Sequence, residues 1–394
     1  MSLQDELNEI VSADRSVSPA KRRSRVPYPQ GWEPQVTVTG DSAVATSELS
    51  VKDADDIALI EGWNLDPAIW SIDGPLTANR WMMNGKWQYQ YKAKLVKVTA
   101  ASRADVDELF KHVKNHKKFT PPTGDEAFVI TLADWQIGKG ENGGTDATVE
   151  RILNSFDEAE ARIKKLRKIG HEIGEIYLVG MGDLIEKCAN NYADQAFTTD
   201  LNERDQARVA RRLLLEITKR AAKLADKVVI ASVGGNHGEN RNGSSKKFTD
   251  DGDNLDVGLF ETVYEALSMN PEAFGHVYFC LPNDELVVVL DIAGTNVAFA
   301  HGHKAKGGAT PQAKQFGWWK GQSLGNHAAA DAQILVTAHY HHFAACEQFG
   351  RLWLQCPAQD GGSKWYTDQT GAHARAGMLT FLVGPEGARE IQVV

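Results

Sequence analysis

The chain is poor in cysteine. Four thiols among 394 residues (Cys188, Cys280, Cys346 and Cys356) form no C-x-x-C pair and are too sparse for a disulfide framework. Reduced thiols in a cytoplasmic setting are the expectation. Net positive charge is also missing: 43 Lys and Arg stand against 52 Asp and Glu, a balance of −9. No global field draws nucleic acid, so any such attraction has to come from local patches or bound metals. No run approaches the roughly 18 apolar residues of a membrane span, and no membrane partner is expected. The N-terminus shows Gln4, Asp5, Glu6 and Glu9 where a secretory signal needs an apolar stretch. No internal repeat is visible. The remaining composition, 42% hydrophobic and 24% charged, suits a soluble globular protein. The length favours a catalytic body with a smaller appendage.

Residues 1–50 are polar and broken, with a basic cluster Lys21-Arg22-Arg23-Ser24-Arg25 ahead of Pro27 and Pro29. They read as a mobile basic arm, either a solvated tail or a contact for nucleic acid. Residues 51–120 read as a small α+β accessory module. A short helix around Asp53–Glu61 precedes two strands, Leu76–Met83 and Lys86–Val98, joined by the hairpin signal Asn84-Gly85. The second strand alternates Trp87, Tyr89, Tyr91 and Ala93 with Lys86, Gln88, Lys92 and Lys94. That pattern fits a buried aromatic face with a wet cationic one, or a platform on which bases stack. A helix over 103–118 and Pro121-Pro122 lead into the body at 125–394.

From Ala127 onward strands and helices alternate, which argues a layered α/β fold. Strands are expected at 128–133, 176–179, 228–233, 286–292, 297–300 and 334–337, and 344–394 reads as strands closing a second sheet. Five of these apolar runs end on residues that bind metals: Asp134-Trp135-Gln136, Gly182-Asp183, Gly235-Asn236-His237, His301-Gly302-His303 and His339-Tyr340-His341. Strand ends are where open α/β sheets place their ligand crevices. Each motif alone has a plainer reading: a turn dipeptide, a helix cap, a satisfied histidine. Together, carboxylates and an amide followed by histidines are what two divalent cations about 3.5–4 Å apart require.

The order and chemistry of these blocks resemble the calcineurin-like metallophosphoesterase superfamily over roughly residues 125–380. The resemblance implies a layered β-sandwich flanked by helices and a pair of divalent ions, Mn²⁺ first, with Mg²⁺, Zn²⁺ or Fe as alternatives. It implies that Asp183 bridges both ions, that Asp134, Gln136 and His341 complete the first, and that Asn236, His301 and His339 complete the second. His237 would assist the leaving oxygen or stabilise phosphoryl charge, and a hydroxide shared by the ions would attack. The chain departs from the pattern in three places. Gln136 stands where the family has histidine, and an amide oxygen is a harder, weaker donor than imidazole, which shifts the site from Zn²⁺ toward Mn²⁺ or Mg²⁺. Ala338 replaces a glycine before the last histidine pair. Gly238 follows Asn236-His237 where relatives carry an acid, with Glu239 displaced by one.

Two segments read as loops over the crevice: Gly238–Lys247 with Arg241, Lys246 and Lys247, and His303–Gly321 with Lys304, Lys306, Lys314, Lys320, Phe316, Trp318 and Trp319. Basic and aromatic side chains interleaved suit a phosphate backbone and unstacked bases, with Arg241, Lys304 and Trp318 as substrate contacts; the same residues also suit solvated lysines and packed tryptophans. The expected function is hydrolysis of a phosphodiester, in DNA, nearest in character to SbcD-type nuclease subunits. A small-molecule nucleotide phosphodiesterase is the alternative. So is a non-catalytic protein of this fold that engages DNA or, through its N-terminal module, a partner protein.

Overall fold

Residues 127–132 are apolar at nearly every position, and both faces of their strand are buried, the mark of a sheet covered on two sides. The computed structural model describes the backbone of 36–39, 42–45, 59–60, 63, 65, 70–83, 86–97 and 101–394, excepting 190, 193–194, 243–245, 248, 284, 326 and 363–373. Side chains are described at 59, 60, 63 and 65 and from 108 onward, with 242 and 246 also excepted. The chain forms two units that divide between Asp107 and Glu108.

In the smaller unit, strands β1 (Val36–Thr39), β2 (Ser42–Ala45), β3 (Trp70–Met83) and β4 (Lys86–Lys97) form one antiparallel sheet in the order β1-β2-β4-β3. Residues 36–45 are therefore not all irregular arm. The Met83↔Lys86 pairing leaves two residues for the hairpin connection, although Asn84 and Gly85 themselves lie outside the described residues. β3 begins earlier than the expected Leu76. It continues through Pro75 because the register shifts between Asp73 and Thr77, where a proline has no N–H for the ladder. The basic cluster at 21–25 and the side-chain faces of β4 lie outside the described residues, as does most of the helix expected at 53–61.

Helix α1 (Ala101–Lys114) crosses the division. In the larger unit, Phe119 packs edge-on against Phe274 at 5.7 Å, and Asn270 Nδ2 donates to Val113 O at 2.6 Å. These contacts tie residues 113–119 to the rest of that unit. The strands of that body are β5 (Glu126–Leu132), β6 (Ile173–Gly180), β7 (Lys227–Ser232), the ribbon β8 (Arg241–Asn242) and β9 (Lys246–Lys247), β10 (Val277–Cys280), β11 (Val287–Ile292), β12 (Thr295–Ala300), β13 (Ile334–Thr337), β14 (Ala344–Gln348), β15 (Arg351–Gln355), β16 (Leu379–Gly384) and β17 (Gly387–Val393). Six form one mixed sheet, β10-β7-β6-β5-β16-β17, and five form another, β11-β12-β13-β15-β14.

Alternation along each strand builds the layers. Val129, Val179, Ala231 and Phe381 from the first sheet meet Phe299, Val336 and Leu354 from the second in one core. On the first sheet's other face, Phe128, Ile130 and Leu178 pack on Ile152 and Phe156 of α2 (Gly144–Lys168), Leu213 and Ile217 of α3 (Glu203–Ala221), and Phe260 of α4 (Leu255–Ser268). On the second sheet's other face, Ala298, Leu335 and Trp353 pack on Trp319 of α5 (Pro311–Leu324). The result is the helix-flanked β-sandwich expected from the sequence.

Two expectations change. Of the described C-terminal stretch, β14 and β15 join the second sheet, whereas β16 and β17 extend the first, β16 antiparallel to β5. The segment 303–321 is not one loop, since residues from Pro311 onward are helical. Thr310 Oγ1 caps α5 by accepting Ala313 N at 3.2 Å, and Pro311 occupies the first turn, where its missing N–H costs nothing.

Candidate metal centre

β5, β6 and β7 run parallel in one sheet, and β12, β13 and β15 run parallel in the other. The residues that follow their six carboxyl ends make the site. Among the described residues, ten other than glycine have positive φ, and five of them are Asp134 (46°), Gln136 (44°), Asp183 (54°), His339 (76°) and His341 (58°). Left-handed backbone costs a side-chain-bearing residue about 1–2 kcal/mol, so this clustering is strain held in place by surrounding structure. The turns are stitched together: Asp134 N donates to Gly182 O (3.1 Å), Gln136 N to Asp183 O (2.9 Å), Ala338 N to His301 O (3.0 Å) and Gln359 N to Asp134 O (3.1 Å). Gly182 (φ 85°) has no room for a side chain, because a Cβ there would lie 2.6 Å from Gly235 Cα and 2.9 Å from His301 Nδ1.

Asp183, His301 and His339 can each offer a ligand atom within 4.8 Å of the others. His301 Nδ1 donates to Met181 O at 2.7 Å, which leaves Nε2 facing Asp183 Oδ2 at 3.0 Å and Asn236 Oδ1 at 3.1 Å. With neutral imidazole three acceptors converge without a hydrogen between them, and only a cation or an added proton relieves that arrangement. Burial pushes the His301 pKa down, but the Asp183 carboxylate overrides it and carries it up to about 9. His339 goes the other way, to about 3, through burial and the positive charge of His301, so its imidazole is a free lone-pair donor at neutral pH. Buried Asp183 is held well below the usual carboxylate range by His301 and His237, against the effect of its burial. These donors fit a divalent ion with mixed nitrogen and oxygen ligands.

The neighbouring position differs. Asp134 is fully buried, with Oδ2 accepting His339 N (3.1 Å) and Oδ1 lacking any hydrogen-bond partner, 3.4 Å from His341 Nε2. Gln136 turns its Nε2 toward His237 Nε2 and His341 Nε2, both at 3.5 Å, and its Oε1 accepts Lys139 Nζ at 3.2 Å. Lys139 also donates to Asp360 Oδ2 at 2.5 Å, and the same oxygen lies 3.3 Å from His341 Nδ1. His237 N donates to Asp183 Oδ1 at 2.7 Å and its Nδ1 to Glu186 O at 2.8 Å, which leaves Nε2 for the cleft. His342 bonds Tyr340 O and stays outside the cluster.

The three expected substrate contacts are engaged elsewhere. Arg241 and Lys304 converge on buried Glu239 with His303: Arg241 Nη2 and Lys304 Nζ each lie 2.6 Å from its carboxylate, and His303 Nε2 lies at 3.1 Å. These partners hold the Glu239 carboxyl far below its ordinary range despite burial. Trp318 is half-buried against the second sheet's outer cluster, and Trp319 Nε1 donates to Ala329 O at 2.9 Å. Lys306 and Lys320 are exposed, while Lys314 lies over the Tyr340 ring at 5.6 Å.

Sequence reasoning missed three acids, Asp256, Asp360 and Glu186, together with Lys139. Asp256, in the first turn of α4, accepts from Asp183 N and Leu184 N at 2.9 Å and from Gly235 N at 3.0 Å. Burial, then the nearby Asp183 charge, raises its pKa to about 6. A Cβ on Gly238 would collide with Asn254 Oδ1 and meet Asp256 Oδ2 at 2.8 Å, so no side chain fits at this place. Asp360 had a readable signal, since Asp360-Gly361-Gly362 follows the strand Arg351–Gln355 as the other ligand turns follow theirs. Glu186, 3.4 Å from His237 Nδ1, follows Asp183 by three residues and had none.

No protein-family model matches the chain, and no curated protein matches its sequence. Solved structures do show similarity. Vacuolar protein sorting 29 from Cryptosporidium parvum is 16% identical, with 66% of this chain and 86% of that one covered at a TM-score of 0.32. A conserved uncharacterized protein of Streptococcus pneumoniae, described as a predicted phosphoesterase, is 10% identical over 66% and 83%, at 0.28. An archaeal phosphodiesterase is 12% identical over 68% and 99%, at 0.32. Likenesses this weak carry no argument about chemistry, which stands on the chain's own geometry. No helix among the described residues is long and apolar enough to cross a membrane.

Proposed function

We propose that the larger unit is a metal-dependent phosphoesterase acting on a phosphodiester. The observation that supports this reading is the convergence of Asp183, His301 and His339 within 4.8 Å, with three acceptor atoms facing one another around His301 Nε2. A bound divalent ion, Mn²⁺ before Mg²⁺, Zn²⁺ or Fe, supplies Lewis acidity toward a phosphoryl oxygen and lowers the pKa of water. Asp183, Asn236, His301 and His339 hold and orient it. Asp134, Gln136 and His341 line the adjoining position. His237 spends its Nδ1 hydrogen on Glu186 O, so Nε2 is the atom left to serve the leaving oxygen, and the Glu186 side chain lies 3.4 Å from Nδ1.

DNA is the proposed polymer, although Arg241 and Lys304 serve it only if they leave Glu239. Lys21–Arg25 and the lysines of β4 are the remaining candidate grip, and their contribution appears as the salt dependence of DNA binding. A second reading, binding without turnover, is favoured by the Gln136–Lys139 contact in the adjoining position. Hydrolysis of bis-p-nitrophenyl phosphate and of single- and double-stranded DNA, before and after chelation and Mn²⁺ return, separates these readings. Mn²⁺-restored turnover that disappears in Asp183→Asn supports the phosphoesterase. Turnover of the small diester alone assigns a small-molecule substrate, and DNA binding with no turnover of either substrate assigns a binding protein.

A further inference from the structure

We propose that this centre is built for one metal ion, with the Lys139 ammonium supplying fixed positive charge beside the position where a second ion would lie. The inference rests on the phosphoesterase reading for its frame of two adjoining positions, and it turns on the direction of one amide. Lys139 has only donors, so the Gln136 atom that it touches at 3.2 Å is the oxygen. Turning the amide over would set its NH₂ against the ammonium. The oxygen is therefore directed away from His341, and the NH₂ is directed at His341 Nε2 and His237 Nε2, 3.5 Å from each. An NH₂ group has no lone pair to give a cation, so the residue standing in for the family's histidine is not a ligand in this arrangement.

Lys139 is itself anchored. Its Nζ lies 2.5 Å from Asp360 Oδ2 and its side chain is 11% exposed, so it is not a surface lysine that swings clear. The acceptor that anchors it also lies 3.3 Å from His341 Nδ1, which ties the ammonium to the last candidate ligand of that position. What is left for an ion there is Asp134 Oδ1 and His341 Nε2, 3.4 Å apart, since Asp183 Oδ1 already accepts His237 N. A dication would have to be held by those few atoms beside an ammonium already neutralising the local carboxylates. Among the described residues no ammonium contacts Asp183, His301 or His339, and the converging acceptors there call for a cation.

The test counts ions rather than turnover. Metal-stripped full-length protein is titrated with Mn²⁺ by calorimetry, and bound ions per chain are read by native mass spectrometry. One ion per chain in the wild type, absent in Asp183→Asn, is the expected result. Gln136→His combined with Lys139→Met should bind two. Should that pair fail to fold, Lys139→Met alone frees the Gln136 oxygen to turn inward and should gain a second, weaker ion. Two ions per wild-type chain with affinities within about tenfold of each other overturn the inference and leave the phosphoesterase reading standing. A Lys139→Met protein that still binds a single ion also overturns it, since Lys139 would then not be the block. No ion at all, or one that survives in Asp183→Asn, overturns both.

Discussion

Asp256 offers the sharpest test of how the site is held. It is fully buried, and its two oxygens accept three backbone N–H groups, those of Asp183, Leu184 and Gly235. Two of these donors belong to the turn that carries the central carboxylate, and the third to the turn that precedes Asn236 and His237. Asp256→Ala strands all three in a protein interior. A buried donor left without a partner costs about 1–3 kcal/mol, and water entering the vacated space recovers part of that, so the loss should be about 3–5 kcal/mol. Asp256→Asn keeps one acceptor oxygen, which can serve the Asp183 and Gly235 donors while its NH₂ faces Leu184 N–H. That variant should lose about 1–3 kcal/mol. Urea unfolding followed by tryptophan fluorescence reads both as midpoint shifts at unchanged slope. The Ala variant should also bind Mn²⁺ more weakly than the Asn variant, because the Asp183 backbone loses its anchor. A loss below about 1 kcal/mol for Ala, or equal losses for Ala and Asn, would refute the idea that this acid pins the ligand turns.

Trp319→Ala should cost about 3–5 kcal/mol in the same assay, since its ring is almost wholly buried and its Nε1 bonds Ala329 O; a loss near zero would mean that α5 is a loose segment after all. Asp183→Asn should lose Mn²⁺, whereas His237→Ala should keep it and lower kcat by about 10²–10⁴-fold, and equal metal loss in both would contradict the division of roles. The Glu239 carboxyl is depressed in the folded state, so its contribution is present above the ordinary glutamate value of about 4.3 and declines as pH falls below it. Glu239→Gln should therefore be less stable at pH 7 and show a flatter acid limb between about pH 5 and 3, as read by the urea midpoint; parallel acid limbs would show that the cluster adds nothing.

Strands buried on both faces were the most legible part of this chain. Val129–Leu132 and Ile334–Thr337 are apolar runs too short for helices, and each ends on a polar turn. The candidate ligands were legible for a related reason. Asp, Asn and Gly tolerate the left-handed turns that end such strands, and those residues stood in chain order with the histidines. The sheet that receives β16 and β17 was not legible, because local pattern does not say which edge is open. Nor was α5: its interleaved lysines and aromatics show no clear apolar stripe, Gly317 and Gly321 weaken the helical pattern, and only the capping Thr310-Pro311 pair marks its start. Asp256 looks like any acid in a helix first turn, and its three accepted bonds come from residues up to 73 positions away. The orientation of Gln136 depends on Lys139, which depends on Asp360, 221 positions on; no local reading contains that chain of contacts.

The central claim is that Asp183, His301 and His339 together hold a divalent ion. Crystals of the full chain grown with Mn²⁺, with diffraction collected at the manganese edge, test it most directly. The account predicts a single strong anomalous peak about 2 Å from Asp183, His301 Nε2 and His339, with Lys139 Nζ still on Gln136 Oε1. An empty map at those three residues, with manganese present in the crystal, would contradict it.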